Sequence, residues 1–184
     1  MSQGAPRRTH HAGNPPLPRI GGTADVDSAR SEEHWRTIFG NLWGKRDLAS
    51  VHEGQVLGSL HSRTIGALTF NRIAFGNQQF ERSTGSTGDE PFFSLSFPEN
   101  GSAHCDIGEQ TARLLPQNAY RHNNGLSAKL RIEERHSTFN IQIPVSALEY
   151  RLGRRTDIMS RRTVQPDSIY HMMRRLISDL MSKA

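Results

Sequence analysis

The sequence predicts a mainly β protein: an antiparallel sandwich or barrel with one amphipathic helix ahead of it and helices after it. Three observations carry this reading. Six or so short runs between residues 56 and 143 alternate apolar and polar residues with period two, each wet on one side. Clusters of Gly, Asn and Ser separate the runs as turns. Outside that region the apolar spacing switches to the three-and-four pattern of a helix.

From the N-terminus, residues 1–28 are rich in Pro, Gly, Arg and His without periodicity, which predicts a disordered lead-in. His10 and His11 belong to that solvated tail, since two histidines alone make a poor metal site. The first helix is SEEHWRTIFGNLWG, Ser31 to Gly44, which holds both tryptophans of the chain. Trp35, Ile38, Phe39, Leu42 and Trp43 fall at i, i+3, i+4, i+7 and i+8 and form one apolar stripe. Ser31 stands at the N-cap, Glu32 and Glu33 occupy the first turn, and Gly44 closes the run. So wide a stripe has to lie on a broad apolar surface, which places this helix across the barrel or its end.

Val56–His61 and Ile65–Phe75 are the first β-rich runs. The second loses alternation between Phe70 and Ile73, and a bulge would account for the slip. In Phe92–Phe97, the residues Phe93, Leu95 and Phe97 share a face opposite Ser94 and Ser96. Ala103, Cys105 and Ile107 repeat the pattern, as do Ala128, Leu130 and Ile132 within Leu126–Ile132. Phe139, Ile141 and Ile143 close the series, with Asn140 and Gln142 opposite. The polar stretch Glu133–Ser137 reads as a hairpin connection, and Ser83–Gly88, Glu99–Gly101 and His122–Gly125 as turns.

At Pro144 the period changes again. Pro144 suits a first helical position, Val145, Leu148 and Leu152 form a stripe, and Gly153 suits the C′ position. A second helix begins near Asp167 or Ser168, with Ile169, Met172, Met173, Leu176, Ile177 and Leu180 along one side. The chain thus divides into a lead-in (1–28), a barrel-bearing domain (29–153), and a basic linker with an amphipathic helix (154–184).

The formal charge of +5 is uneven. Residues 31–150 carry eleven basic and thirteen acidic groups, whereas residues 151–184 carry eight basic and three acidic. The barrel is therefore no nucleic-acid binder; the excess sits in the tail. Arg154, Arg155, Arg161, Arg162, Arg174 and Arg175 could meet phosphates, but one tail helix is not a helix-turn-helix, and a solvated face is the plainer reading. No apolar run reaches membrane-spanning length, and MSQGAPRRTHHAG lacks the apolar core of a signal peptide. A single cysteine, Cys105, forms no internal disulfide and fits a reducing cytoplasm.

Catalytic signals are weak. His104, Asp106 and Glu109 form a thinned metal-like set, yet the apolar residues of that strand are Ala103, Cys105 and Ile107, so the polar ones face solvent. Cys105, mid-strand, reads as a buried inert thiol. Ser83–Gly88 has the small residues of a phosphate loop without a following Gly-Lys-Ser/Thr. The expectation is no enzyme, no cofactor and no metal, with a degenerate metal-dependent barrel enzyme on His104, Asp106 and Glu109 as the competing reading.

The segment from Glu33 to Leu152 resembles the effector-binding domain of AraC/XylS-family bacterial transcription regulators, in the AraC-binding-like subgroup. The resemblance rests on EHWRTIFGNLWG, on Gly58-Ser-Leu-His-Ser-Arg63 with Ile65-Gly-Ala-Leu68, and on Phe80-Glu-Arg82-Ser. It continues through Phe92-Phe-Ser-Leu-Ser-Phe97, Gly101, Leu114-Leu-Pro116-Gln-Asn118 and Ile141-Gln-Ile-Pro-Val-Ser-Ala-Leu148. Gln117 and Asn118 replace the Gly and Asp of the family's usual turn. The family's helix-turn-helix DNA-binding part has no counterpart here, as in an excised sensor domain or a natural protein without its reader head. The resemblance implies a cupin-like β-barrel or jelly roll that binds a small organic effector, forms a homodimer, and reaches DNA only through that other domain. With Phe and Ile inward, such a barrel encloses an apolar cavity. The expected ligand-binding residues are Phe93, Leu95, Phe139 and Ile141 from strands, Tyr120 from a loop, and Trp35 and Phe39 from the helix. Met172, Met173, Leu176 and Leu180 are the expected dimerisation residues, since Met adapts to partner surfaces.

Overall fold

Two antiparallel sheets packed face to face form the body of the protein in a computed structural model, which describes residues 17–44, 47–82, 91–107, 110–116, 118–152, 163–164 and 175. The order is β1 (Arg19–Gly22), α1 (Ser31–Trp43), β2 (Asp47–Ala49), β3 (Leu57–Ile65), β4 (Leu68–Gly76) and β5 (Gln78–Arg82). Then follow β6 (Phe92–Asn100), β7 (Ala103–Ile107), β8 (Gln110–Leu114), β9 (Ala119–Asn123), β10 (Ala128–Ile132), β11 (His136–Pro144), α2 (Val145–Leu152) and β12 (Thr163–Val164). One sheet runs β1-β3-β4-β11-β6-β9-β12, the other β2-β5-β10-β7-β8. The predicted mainly β, antiparallel architecture is present.

Three local expectations change. No bulge interrupts the second β-rich run: Ile65 ends β3, Gly66 and Ala67 make a two-residue turn, and Leu57–Ile65 pairs with Leu68–Gly76 in unbroken register. The alternation slips because Asn71 is a polar residue pointing inward, fully buried between Ile73 and the strand start. Glu133–Ser137 contains no hairpin turn either, since β10 and β11 belong to different sheets and the segment crosses between them. Finally, a strand lies within the lead-in: Arg19–Gly22 pairs with β3, the Arg19–Asp25 ion pair (2.7 Å) and the Gly22 amide donating to Asp25 (2.8 Å) close the turn behind it. The expected second tail helix and the residues Met172, Met173, Leu176 and Leu180 lie outside the described residues.

Helix α1 has the predicted face and stops at Gly44, but Ser31 is its first helical residue rather than its N-cap: Arg30 stands at the cap, and Ser31 Oγ donates to the Ser28 carbonyl (3.0 Å). Trp35, Phe39 and Trp43 are buried, with Ile38 and Leu42 packed beside them. A 13-residue helix is marginal alone. Burying three aromatic rings at roughly 150–250 Å² each, worth about 25 cal/mol per Å², contributes on the order of 10 kcal/mol gross and fixes it against the sheets. Phe39 stacks on Trp43 at 4.4 Å and on Phe80 of β5 at 4.2 Å, and meets Phe75 of β4 edge-on at 6.0 Å. Arg36 donates to the Leu48 carbonyl (3.0 Å) and Gln142 of β11 to the Leu42 carbonyl (3.2 Å), so both sheets hold the helix by hydrogen bonds.

The seven-stranded sheet buries apolar residues on both sides. Its inner side joins the main core, with Leu60, Ile73, Phe75 and Phe92. Its outer side carries a second cluster of Phe97, Ala119, Phe139 and Ile141, with Leu17, Phe70, Leu95 and Ile143 packed on it. Period-two geometry makes these two sets mutually exclusive along a strand.

Candidate functional site

Between the sheets lies a cavity of about 160 Å³, open toward one side. Phe39 and Trp43 of α1, Ile73 and Phe75 of β4, and Phe80 of β5 form its aromatic and aliphatic end. Cys105, Ile107, Ala112, Leu114, Ala128 and Leu130 supply the wall from the five-stranded sheet. The opposite wall is more polar: Ser96 of β6, Tyr120 and Arg121 of β9, and His136, Thr138 and Asn140 of β11.

Ser96, Tyr120, His136, Thr138 and Asn140 of that wall lie on the inward face of their strands, the face opposite to the one that the alternation of apolar residues suggests. Phe39 lines the cavity as expected, and so does Tyr120, although Tyr120 sits in strand β9 rather than in a loop. Phe93, Leu95, Phe139 and Ile141 do not line it. Register pairs Phe93 with Ile143, Leu95 with Ile141 and Phe97 with Phe139, so this set shares the outer face. Trp35 is fully buried behind the cavity, its Nε1 donating to Gln78 Oε1 at 2.7 Å.

The inward polar residues are tolerable because they satisfy one another. Ser62 Oγ donates to Asn71 Oδ1 (2.6 Å), Asn71 Nδ2 to Asn140 Oδ1 (3.4 Å), and Asn140 Nδ2 to Ser96 Oγ (2.9 Å). This ladder crosses four adjacent strands, β3, β4, β11 and β6. The Tyr120 hydroxyl donates to the Arg113 carbonyl (2.7 Å) and accepts from the Leu115 amide (3.1 Å) and Asn118 Nδ2 (3.2 Å). Its ring therefore faces the cavity while its oxygen pins the β8–β9 turn, the place where Gln117 and Asn118 depart from the family's usual residues.

His136 is the functional candidate that sequence reasoning misses, because it falls within the polar stretch Glu133–Ser137 and yet starts strand β11. It is 1 % exposed, lines the cavity, and lies parallel to Phe75 at 6.3 Å between centroids. Burial holds its imidazole below the ordinary histidine pKa, partly offset by hydrogen bonds to the backbone at Gly101 and Asn100. Gly101 makes that approach possible: it has φ +69°, and a Cβ there would overlap the Arg135 carbonyl. Nδ1 of His136 has no protein partner.

On the outside of β7, His104 and Asp106 are exposed while Ala103, Cys105 and Ile107 are buried, as the alternation predicted. Thr111 donates to Asp106 at 2.7 Å. Among the described residues, no cluster of three His, Cys, Asp or Glu side chains is poised around a common point, and no helix is long and apolar enough to cross a membrane.

The sequence profile of the AraC-binding-like domain matches residues 35–184, most of the chain. This chain belongs to the AraC-binding-like domain family. The AraC-like transcriptional activator CuxR superposes with a TM-score of 0.75 at 11 % identity, over 90 % of this chain and 60 % of that one. The AraC-binding-like domain described here thus spans three-fifths of the activator's length. Weaker similarities reach the EutQ protein of Clostridium difficile (TM-score 0.41, 6 % identity, 48 % and 69 % of the two chains). A cupin superfamily protein of Desulfitobacterium hafniense is similar at TM-score 0.39 and 16 % identity, over 52 % and 84 %. No curated protein matches the AraC-binding-like chain in sequence.

Proposed function

We propose that this AraC-binding-like chain is the ligand-sensing and dimerisation domain of a bacterial AraC-type transcription regulator. It binds a small organic effector between its sheets in the cytoplasm and controls transcription through a DNA-binding domain outside this chain. The observation that carries the reading is the cavity: its far end is the Phe39–Trp43 pair of α1, so an occupant would touch a helix as well as the sheets. Apolar cavities of about 150 Å³ accept one aromatic ring. A larger effector has to displace α1, which would couple binding to a movement that a neighbouring domain can sense. Pairing through Met172, Met173, Leu176 and Leu180 belongs to the same proposal.

The revised contact set is Phe39, Trp43, Phe75, Tyr120 and His136, in place of the outward-facing strand residues. A thermal-shift panel of single-ring and small aliphatic compounds tests the proposal on wild type and on Ala128→Phe, which fills the cavity from the five-stranded sheet. At least one compound should raise the wild-type Tm and none the variant's. A panel without binders, or binding undiminished in a folded Ala128→Phe, would overturn it.

A further inference from the structure

The outer face of the seven-stranded sheet is buried, and the sheet does not bury it alone. Phe97, Phe139 and Ile141 are 3 %, 4 % and 7 % exposed, although register turns them away from the cavity. Neighbours on one sheet shield each other's flanks but not the tips of their rings. Among the described residues, Phe70, Leu95 and Ile143 pack on this cluster from within the sheet, and Leu17 is the half-buried apolar residue that reaches it from outside. Helix α2 stands at one end of the face, beside Leu68 and Ile143. One leucine does not roof a face that crosses β9, β6, β11 and β4, three strand spacings or about 14 Å.

Composition narrows what does. Outside the described residues, 1–16 and 83–90 contain no Val, Ile, Leu or Phe, and 153–162 sets Ile158 and Met159 among four arginines. Residues 165–184 differ. Ile169, Met173, Leu176 and Leu180 fall along one line of a helix, with Met172 and Ile177 at its margins. Two observations bear on where that line goes. Strand β12 pairs Val164 with Ala119, a member of the outer cluster, so the tail leaves from the edge of this same sheet. Arg175 is helical and exposed, and helical spacing puts it on the side away from the stripe. A helix from Asp167 to Leu180 measures about 20 Å, enough to cross the cluster, and Gln165 and Pro166 allow about 7 Å of lead.

We propose that the outer face of the seven-stranded sheet is the seat of the chain's own tail: residues 167–180, as a helix, lay Ile169, Met173, Leu176 and Leu180 on the Phe97, Phe139 and Ile141 cluster. The inference does not depend on what the cavity binds. Methionine suits such a seat, because its unbranched thioether conforms to uneven aromatic surfaces. The residues named above for pairing are then engaged within one chain. Pairing two copies through them requires an exchange of tails, which keeps both outer faces covered.

An introduced thiol reads the cover. Ala119→Cys, combined with Cys105→Ala so that one thiol remains, places it in the cluster at a position that is 1 % exposed. Adding Met173→Asp and Leu176→Asp should speed its reaction with a maleimide at least about tenfold, since two charges replace two apolar contacts. Arg175→Glu, on the exposed side, should leave the rate within about twofold. Should the substituted chains fail to fold, nuclear Overhauser spectra of the wild type decide. Met173 methyl protons should contact the rings of Phe97 or Phe139 in uniformly labelled protein, with no such contact between labelled and unlabelled chains in a mixed sample. A thiol as reactive without the aspartates as with them, equal acceleration by Arg175→Glu, or a tail lacking those contacts would overturn the proposal. Contacts seen only between chains would overturn it too, making a second copy's tail the cover and leaving the pairing reading standing.

Discussion

Trp35 and Gln78, 43 residues apart, share a hydrogen bond in a region with no solvent exposure: the indole Nε1 donates to Oε1 at 2.7 Å. Gln78 Nε2 in turn donates to the Leu57 carbonyl, so one amide links α1, β5 and the start of β3. The stripe on α1 would bury its rings against any apolar surface; this bond selects the rotation at which it does so. Gln78→Leu keeps the volume and leaves an indole N–H buried without a partner, which should cost roughly 1–3 kcal/mol. Urea unfolding monitored by tryptophan fluorescence measures it. A loss below about 0.5 kcal/mol would mean the indole finds water and the link is dispensable.

Gly58 lies under the same indole. A Cβ built there falls inside the Trp35 ring system, too close for any real contact. Replacing a strand glycine with alanine ordinarily helps folding, because the unfolded chain loses freedom. Gly58→Ala should reverse that sign and destabilise by about 1–3 kcal/mol, the usual range for overpacking. It should also red-shift the emission of α1's tryptophans as the helix lifts. A stabilised Gly58→Ala would show that Trp35 can move aside freely.

Periodicity reveals which residues share a face more readily than where that face points. The stripe Trp35, Ile38, Phe39, Leu42, Trp43 gave the helix and its buried side, because a lone helix on a sheet has one apolar face. In β6 and β11 the alternation was equally clear, yet its direction could not be read. Phe139 and Ile141 look like core residues because they are core residues, of the outer cluster; half-buried Leu95 packs on that cluster and buried Phe93 shares its face. The inner face carries Ser96, Thr138 and Asn140, acceptable only through cross-strand partners contributed by Ser62 and Asn71, far away in sequence. Strands such as β5 (Gln78–Arg82) and β9 (Ala119–Asn123) escaped notice for a related reason: few of their residues are apolar, and pairing defines them. His136 was obscured by Glu133, Glu134 and Arg135 before it, which made a strand start resemble a loop.

The outward direction of Phe139 has a measurable consequence. Phe139→Ala should lower stability by about 3–5 kcal/mol, as expected for a buried phenylalanine. Affinity for whichever ring compound binds the cavity should stay within about twofold, the allowance for small backbone shifts between the two faces. Leu130→Ala, which enlarges the cavity itself, should change both. A large affinity loss in Phe139→Ala alone would return the site to the outer face.

Stability should depend on pH through His136, and its sign is fixed by the direction of the shift. Burial lowers the native pKa below 6.5, so at pH values under 6.5 the unfolded chain binds a proton that the folded chain refuses. Stability is therefore whole above 6.5 and declines as pH falls toward the native pKa, with a slope of at most about 1.4 kcal/mol per pH unit for one proton. Asp25 and Asp27, held low by hydrogen bonds from Arg19 and Arg30, lose stability in the same direction but only below the ordinary aspartate value of 3.8. Between about pH 4 and 6.5 the histidine therefore contributes and these two aspartates do not. Denaturant titrations across that interval should slope for wild type and be flat for His136→Phe. A slope that survives the substitution would assign the proton to another group.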